Sequence, residues 1–404
     1  MGSLTTEREK IMESYRCGLV ALSADPITFG HMDLIARAKE RCASVVVLIA
    51  DNDMKRGEYL FSLPERVRIA TRAVAQSGLS DIRVIGSGGL LVDTYLREGC
   101  DVLFRGIRDH EDERYEGRQM QLHTLILPDL VGHIVFLESR EEYRLVSSSL
   151  VKAFVRSGID VSSFVPSFVK QLLEERICGQ YKIAVTGCQA HGKTYVAEQL
   201  ARRLRARGVS AHLISIDVLS RELYGEDSPG AQFVRDGIAG LFGEEMLIDG
   251  RKNVRRDALK RRIFASETKS EERELLHRLV APHIDRLYRE AVSGKRGIVL
   301  VEWAQLAEMK LSHWTNHHSI VVSGADPEVF RSTRAISSED AETMSRFQWN
   351  AEEKAQSLYD MASLAGNGTV IRFVNRIGDA ASLDSLAHSV RELFPSLRYE
   401  GMAS

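Results

Sequence analysis

The chain has 404 residues, enough for two or three domains of ordinary size. Hydrophobic residues make up 44% and charged residues 27%, which excludes an intrinsically disordered chain, and the net charge of −2 gives no basic excess typical of a nucleic-acid-binding protein. The apolar runs are only strand-length, well short of the roughly 20 residues that span a bilayer, and the five scattered cysteines favour a reducing cytoplasm over a disulfide scaffold.

The first half begins with a charged N-terminal extension, residues 1–16, and continues with a predicted domain over residues 17–178. An apolar strand at 18–22 passes through a turn, 23–31, into an amphipathic helix that starts near Met32. Further strands are predicted at residues 45–50, 82–85, 102–104 and 134–137, with helical stretches between them. This alternation predicts an α/β fold with a parallel sheet.

The second half, residues 179–404, starts in the same way and predicts a second parallel-sheet domain. A strand at 181–186 leads into a glycine-rich turn and then into a helix with apolar residues at Val196, Leu200 and Leu204. Further strands are predicted at residues 212–216, 298–301, 319–322 and 369–373. The fold class is therefore α/β with two parallel-sheet domains.

The turn Thr28-Phe-Gly-His31 is the first candidate site. Gly30 permits a close turn, and the helix start offers free N–H groups and a positive dipole end that suit phosphate. His31 is placed to donate to a phosphate oxygen as charge builds at phosphorus. Taken singly, the other polar groups at strand ends are explained by a solvated surface or a helix cap, but their order along the chain predicts a nucleotide site. These groups are Lys55, Arg105, Arg108 and the stretch from Tyr143 to Ser149.

Residues 17 to about 176 resemble bacterial-type phosphopantetheine adenylyltransferases, which belong to the nucleotidyltransferases with an HxGH or TxGH motif. The matching stretches are residues 25–31, 60–66, 89–92, 105–108, 115–116 and 147–152. The resemblance implies a Rossmann-like nucleotidyltransferase domain. It also implies transfer of adenylate from MgATP to 4′-phosphopantetheine, which gives dephospho-coenzyme A and pyrophosphate.

The resemblance also implies a role for each matched residue. His31 would stabilise the pentacovalent phosphorus, and Lys55 and Arg105 would hold the acceptor phosphate or the triphosphate. Ser23 stands where the family usually has threonine, and Leu91 would lie at the pantetheine pocket. The matched residues of the ATP site are Ser23, Thr28, His31, Gly106, Arg108, Glu116, Tyr143, Ser147, Ser148 and Ser149. Because the acceptor is already a phosphate, positioning and electrostatic stabilisation suffice for catalysis.

The second candidate site is a complete P-loop, Gly187-x-x-x-x-Gly192-Lys193-Thr194, between a strand and a helix. Backbone N–H groups of such a loop cradle phosphates, Lys193 would bridge the β- and γ-phosphates, and Thr194 would bind Mg²⁺. Asp217 follows the next strand and is predicted to accept a hydroxyl proton or to hold Mg²⁺ through water, with a helix cap as the alternative. Cys188, inside the loop, is interpreted as a small filler rather than a redox-sensitive thiol.

Residues 181 to about 375 resemble dephospho-coenzyme A kinases, through residues 242–250, Arg256, 276–284 and 302–308. The resemblance implies that Asp217 deprotonates the ribose 3′-hydroxyl and that Arg221 contacts the substrate. Candidates for lid arginines are Arg331, Arg334 and Arg346. The sequence departs from the family at residues 281–282, where the family has His-Pro, and at 304–306, where it has Pro-Leu-Leu, which leaves a weak or shifted kinase activity open.

Together the two resemblances imply a bifunctional enzyme of coenzyme A synthesis, since the product of the first domain is the substrate of the second. The implied ligands are ATP, Mg²⁺, 4′-phosphopantetheine and dephospho-coenzyme A, without nucleic acid or membrane, in a cytoplasmic homo-oligomer. Two alternatives stay open at this point. One is an NMN adenylyltransferase joined to a ribosylnicotinamide kinase, and the other is an adenylyltransferase whose P-loop domain is regulatory.

Overall fold

The computed structural model describes residues 15–51, 57–107, 123–188, 191–263, 270–324, 349–376 and 378–397. The chain divides into two compact units. The first comprises residues up to Val155 and Val161–Lys170, and the second comprises Arg156–Asp160 and the chain from Gln171 onward. In the described part of the chain, no helix is both long and apolar enough to cross a membrane.

The first unit contains a five-stranded, fully parallel sheet in the order β3-β2-β1-β4-β5. Its strands are β1 (Tyr15–Leu22), β2 (Cys42–Ala50), β3 (Ile82–Ser87), β4 (Val102–Ile107) and β5 (Ile134–Glu138). Its helices are α1 (Phe29–Lys39), α2 (Leu63–Gln76), α3 (Leu91–Arg97), α4 (Ser148–Arg156) and α5 (Ser167–Leu173), of which α4 and α5 end in residues of the second unit. The predicted strands are all present. Helix α1 starts three residues before the predicted Met32, because the Thr28 side chain accepts a hydrogen bond from the first helical turn.

The strand order of this sheet reverses at β1. Strands β2 and β3 follow on one side of β1, whereas β4 and β5 lie on the other side. In open α/β sheets, ligands bind outside the carboxyl ends of the strands at such a switch point. The turn that contains Thr28 and His31 leaves the carboxyl end of β1, so the first candidate site lies at this place.

The second unit has a parallel sheet in the order β12-β11-β6-β10-β7 and a small antiparallel pair, β8 with β9. Its strands are β6 (Gln180–Gly187), β7 (Ala211–Ser215), β8 (Leu247–Ile248), β9 (Asn253–Val254), β10 (Gly297–Glu302), β11 (Ser319–Gly324) and β12 (Val370–Asn375). Its helices are α6 (Lys193–Ala206), α7 (Ile216–Gly225), α8 (Pro229–Phe242), α9 (Arg256–Ile263), α10 (Ser270–Val292), α11 (Ala351–Ala365) and α12 (Ala380–Glu392). The two five-stranded parallel sheets confirm the predicted α/β fold class.

Strand β6 lies at the centre of this sheet and is buried along its whole length. Apolar residues of α6 and α12, such as Leu200 and Leu386, pack against one face of the sheet. The opposite face is covered by apolar residues of other helices, such as Val234 on α8 and Leu358 on α11. Strands covered on both faces are rich in consecutive apolar residues, and the runs 183–185, 298–301 and 320–322 made β6, β10 and β11 predictable.

The structural division falls before the predicted domain boundary at residue 178. Two side chains of the connecting segment bond to second-unit residues: Gln171 Oε1 accepts a hydrogen bond from His318 Nε2 at 3.1 Å, and Glu174 Oε1 lies 2.9 Å from Lys182 Nζ. Asn316 Nδ2 donates to Glu174 Oε2 at 2.7 Å. These polar contacts place the segment from Gln171 onward in the second unit.

Candidate active sites

Thr28 organises the turn at the carboxyl end of β1. Its backbone N–H donates to His31 Nδ1 at 3.0 Å, and its fully buried side chain accepts from the His31 backbone N–H at 3.4 Å. Because Nδ1 accepts a hydrogen bond, the neutral imidazole carries its proton on Nε2. The turn thus orients a half-buried imidazole with an Nε2–H donor, which is the group that a phosphate oxygen requires.

The segment before α4 packs directly on this turn. A Cβ at Gly30 would lie 3.5 Å from the Tyr143 Cβ and 3.7 Å from the Val146 carbonyl oxygen, which are van der Waals contact distances. Ser148 Oγ donates to the Pro26 carbonyl at 2.7 Å and ties the start of α4 to the same turn. The structure therefore brings the predicted residues around Tyr143 and Ser148 against the His31 turn.

The remaining predicted residues of the first site occupy different environments. Ser147 Oγ accepts the Leu150 N–H at 3.1 Å, as a helix cap does, while Ser149 is exposed. Burial, together with the Glu142 carboxylate, raises the pKa of Tyr143. Arg105, on β4, donates to the Ala21 carbonyl at 3.4 Å.

Three further predicted positions lie near the carboxyl edge of this sheet. A Cβ at Gly106 would be only 3.0 Å from Leu34 Cδ2, so β4 and α1 approach closely there. Leu91 opens α3 and packs against the hydrophobic cluster of the first unit. The Ser23 carbonyl accepts Arg66 Nη1 at 2.7 Å. The predicted residues Lys55, Arg108 and Glu116 lie outside the described residues.

Asp25 and Lys152 form a buried ion pair that sequence reasoning missed. Asp25 is only 4% exposed and accepts the backbone N–H groups of Leu60 and Phe61 at 2.9 and 3.0 Å. Its Oδ2 lies 2.6 Å from Lys152 Nζ. The lysine of the stretch 147–152 therefore holds the turn in place, although the motif alone gave no reason to separate it from the serines beside it.

Arg66 is a second buried residue with a structural role. Its guanidinium is 1% exposed and donates to the carbonyls of Ser23 and Ala50 at 2.7 and 3.0 Å and to Asp51 Oδ1 at 2.6 Å. It stacks on the Tyr59 ring at 3.9 Å from the centroid. One arginine thereby joins the ends of β1 and β2 at the carboxyl edge of the sheet.

The two glycines of the P-loop are required by its backbone. Gly187 has φ of 140°, and a Cβ there would lie 2.1 Å from the Val322 carbonyl oxygen. Gly192 has φ of 80°, in the left-handed region, and precedes α6. Lys193 is buried, and its Nζ donates to the Cys188 carbonyl at 2.9 Å. Burial lowers the pKa of Lys193.

Glu302 is the most important residue of the second site that sequence reasoning did not assign. It ends β10, is 4% exposed, and accepts Thr194 Oγ1 at 2.9 Å and Ser215 Oγ at 2.6 Å. Its charge opposes the lowering of the Lys193 pKa. A carboxylate beside a P-loop hydroxyl is a set of hard oxygen donors that fits Mg²⁺. The available signal was a glutamate at the end of an apolar run.

Asp217 lies two residues after the end of its strand, whereas the sequence predicted it directly after the strand. Strand β7 ends at Ser215, which also occupies the cap position of α7, so Asp217 lies in the first helical turn and is exposed. Its carboxylate is close enough to oppose the lowering of the Lys193 pKa. Arg221 is exposed one turn further along α7. The structure therefore groups Lys193, Thr194 and Asp217 with Glu302.

The P-loop also contacts the ends of two strands and the segment just before α11. His191 Nδ1 accepts the Gly324 N–H at 3.0 Å, and Asn375 Nδ2 donates to the His191 carbonyl at 3.2 Å. Cys188 Sγ donates to the Trp349 carbonyl at 3.6 Å, and burial raises the pKa of this thiol, as expected for an inert filler. The candidate lid arginines Arg331, Arg334 and Arg346 lie outside the described residues.

A parallel sheet with a Thr-x-Gly-His turn at its switch point, followed by a P-loop with a carboxylate at the adjacent strand end, defines a nucleotidyltransferase joined to a P-loop kinase. Two family models agree with this class. Residues 23–154 match the cytidylyltransferase-like model, and residues 181–363 match the dephospho-CoA kinase model. Both families use nucleotide substrates.

The phosphopantetheine adenylyltransferase of Methylococcus capsulatus is 34% identical to this chain over 155 residues, which are 38% of this chain and 92% of that protein. The chain belongs to the phosphopantetheine adenylyltransferase family and carries a dephospho-CoA kinase domain after its adenylyltransferase domain.

Solved structures show more distant likenesses. The crystal structure of TT1252 from Thermus thermophilus has 23% identity and a TM-score of 0.39, over 53% of this chain and 98% of that chain. The crystal structure of NadR protein in complex with NR has 12% identity and a TM-score of 0.30, over 94% of this chain and 96% of that chain.

Proposed function

We propose that this chain catalyses the last two steps of coenzyme A synthesis. The first unit transfers adenylate from ATP to 4′-phosphopantetheine and releases pyrophosphate. The second unit transfers the γ-phosphoryl group of another ATP to the ribose 3′-hydroxyl of dephospho-coenzyme A and releases ADP. The observation that carries this proposal is the presence of both family domains in one chain, because the product of the first reaction is the substrate of the second.

In the first reaction, an oxygen of the acceptor phosphate attacks the α-phosphorus of ATP, and the bond to pyrophosphate breaks. The nucleophile is already ionised, so no general base is needed. The Nε2–H of His31, oriented through the Thr28 bond to Nδ1, stabilises the charge that builds on the α-phosphoryl oxygens. Lys55 and Arg105 hold the phosphates. Ser23, Thr28, Gly106, Arg108, Glu116, Tyr143, Ser147, Ser148 and Ser149 line the ATP site, with Leu91 at the pantetheine arm.

In the second reaction, the 3′-hydroxyl oxygen attacks the γ-phosphorus, and the bond to the β-phosphate oxygen breaks. Asp217 takes the hydroxyl proton, and Arg221 contacts the substrate. Lys193 and the loop from Gly187 to Gly192 hold the phosphates. Thr194 and Glu302 are the residues that would hold Mg²⁺, which supplies positive charge to the triphosphate when bound.

The alternative pairing of an NMN adenylyltransferase with a ribosylnicotinamide kinase is not favoured. The second half matches the dephospho-CoA kinase model, and the first half belongs to the phosphopantetheine adenylyltransferase family. A purely regulatory P-loop domain is not favoured either, since Lys193, Thr194, Asp217 and Glu302 are grouped as a kinase requires. From the family resemblance we further propose that the protein is cytoplasmic and forms a homo-oligomer. Sedimentation of the purified chain tests the oligomeric state.

A mass-resolved incubation with MgATP and 4′-phosphopantetheine tests both halves at once. The wild type is expected to yield coenzyme A. Lys193→Met is expected to stop at dephospho-coenzyme A, whereas His31→Ala is expected to adenylylate 4′-phosphopantetheine about 10²-fold or more slowly yet still convert added dephospho-coenzyme A. A wild type that stops at dephospho-coenzyme A would overturn the kinase step. A wild type that leaves 4′-phosphopantetheine unchanged but consumes NMN in a parallel incubation would overturn both steps.

A further inference from the structure

Lys354, on helix α11, is a lysine without exposed surface. Its relative exposure is 0%, although lysines are rarely buried unless their charge is paired. Its Nζ donates to the Ala304 carbonyl at 2.7 Å and forms an ion pair with Glu308 Oε1. No role in the proposed kinase reaction uses this residue, so its burial calls for a separate explanation.

The Ala304 carbonyl connects Lys354 to the kinase site. It also accepts Thr186 Oγ1 at 3.3 Å, and Thr186 directly precedes the first glycine of the P-loop. Ala304 stands two residues after Glu302, whose carboxylate accepts Thr194 Oγ1. One carbonyl thus joins α11, the strand that feeds the P-loop and the segment that leaves β10.

Hydrogen bonds at the first turn of α11 fix the backbone position of Lys354. The Asn350 side chain caps this helix by accepting the N–H groups of Glu352 and Glu353, both at 2.9 Å, and the Lys354 N–H donates to the Asn350 carbonyl at 3.0 Å. The ammonium lies near the P-loop, since its charge adds to the lowering of the Lys193 pKa for which burial is the main cause.

We propose that Lys354 is a positioning residue of the kinase, which holds the segment after β10 so that the Glu302 carboxylate faces Thr194 at the magnesium site. The inference rests on the kinase reaction proposed above. Residues 302 and 304 are too close in sequence to move independently, so releasing the Ala304 carbonyl frees the end of β10. The magnesium-binding pair of Thr194 and Glu302 then loses its fixed geometry.

The test must remove the charge pair as a whole. Glu308 Oε2 is already buried without a hydrogen-bond partner among the described residues. Removing Lys354 alone would leave an unpaired buried carboxylate, and this would destabilise the unit whether or not Lys354 positions the magnesium site. The double variant Lys354→Met/Glu308→Gln avoids this. A matched control, Arg372→Met/Glu352→Gln, removes an ion pair between β12 and the same helix whose two side chains are 58% and 69% exposed.

The measurement is the rate of dephospho-coenzyme A phosphorylation as a function of MgATP and of free Mg²⁺, with adenylyl transfer by the same chain as an internal reference. For Lys354→Met/Glu308→Gln we expect KM for MgATP to rise by about tenfold, with a matching increase in the Mg²⁺ needed for half-maximal rate. Adenylyl transfer stays within about twofold of the wild type, as do both activities of the control variant.

Each other outcome has a definite meaning. A lower Tm with unchanged Mg²⁺ dependence makes Lys354 purely structural and overturns the inference. If the double variant does not fold, Thr186→Val removes the other donor to the Ala304 carbonyl, and we expect a smaller shift of Mg²⁺ dependence in the same direction; no shift overturns the inference. A wild type that never phosphorylates dephospho-coenzyme A refutes the proposed function itself, and the inference falls with it.

Discussion

The imidazole of His31 is oriented by its own turn rather than by a distant partner. Thr28, three residues earlier, supplies the N–H that fixes Nδ1 as an acceptor. This local arrangement explains why the motif was recognisable in the sequence: both residues and the helix start belong to one short stretch. The Glu302 contact has the opposite character, because 108 residues separate it from Thr194. No local sequence pattern predicts a contact between residues so far apart in the chain.

His31→Ala tests the donor at the first site. Because the proposed role of the Nε2–H is to stabilise charge that develops in the transition state, we expect kcat of adenylyl transfer to fall by about 10²–10³, with a smaller change in KM. Steady-state assays in the direction of pyrophosphate release measure this. Phosphorylation of added dephospho-coenzyme A by the same preparation serves as the control, and an unchanged kcat would remove His31 from the mechanism.

Glu302→Gln tests the carboxylate at the second site. The amide keeps the size of the side chain and can still bond to Ser215, but it removes the negative charge beside Thr194. We expect the kinase kcat/KM to fall by about 10² and the Mg²⁺ requirement to rise. Titration of the phosphorylation rate with Mg²⁺ measures both. If the variant shows the wild-type Mg²⁺ dependence, Glu302 serves only to tie β7 to α6.

At the scale of elements, strands and helices followed from local patterns, whereas the braces between them did not. Strands β6 and β10 contain the apolar runs 183–185 and 298–301, and α6 repeats its apolar residues every four positions. The brace between Asp25 and Lys152 joins the β1–α1 turn to α4 across 127 residues. Its two members are ordinary charged residues until the fold brings them together.

Lys152→Met is expected to weaken the first unit. Asp25 would keep its two backbone donors but would lose its charged partner while only 5% of its side chain is exposed. Breaking a buried pair from one side costs about 3 kcal/mol, and Asp25→Asn in the same background should recover part of it. Denaturant unfolding of the wild type and the two variants measures the free energies. Equal stability of Lys152→Met and wild type would show that water replaces the lysine.

His318, the residue directly before β11, is buried. We therefore expect the stability of the second unit to depend on pH. Burial lowers the pKa of His318 to about 4, from its ordinary value of 6.5. The unfolded chain therefore binds a proton at a higher pH than the folded one, so the stability present above pH 6.5 is lost as the pH falls toward 4. The loss amounts to about 3 kcal/mol.

Unfolding of wild type and His318→Gln between pH 7.5 and about 4 tests this dependence. The difference between the two curves isolates His318 from the carboxylates that titrate in the same range. We expect the wild type to lose stability faster than the variant as the pH falls. Parallel curves would mean that the imidazole accepts its proton in the folded state.

At the scale of the whole molecule, the chain carries two candidate sites on two separate parallel sheets: one at the switch point of the first sheet and one at the P-loop of the second. Each unit can therefore be inactivated while the other reports on the quality of the same preparation. For His31→Ala and Lys354→Met/Glu308→Gln, the second activity of the chain is therefore the internal reference, and it makes a selective loss of one activity interpretable.

The first unit is discontinuous in sequence, and this affects how a fragment that encodes it alone should be chosen. Residues Val161–Lys170 return to the first unit after a segment that belongs to the second. There the Phe164 carbonyl accepts the Phe29 N–H at 2.9 Å, directly beside the candidate catalytic turn, and the centroid of the Phe168 ring lies 4.1 Å from the Arg72 guanidinium. A coding fragment that stops at Val155 would encode an adenylyltransferase without this support. During translation, likewise, the bond between Phe29 and Phe164 can form only after residue 164 has left the ribosome.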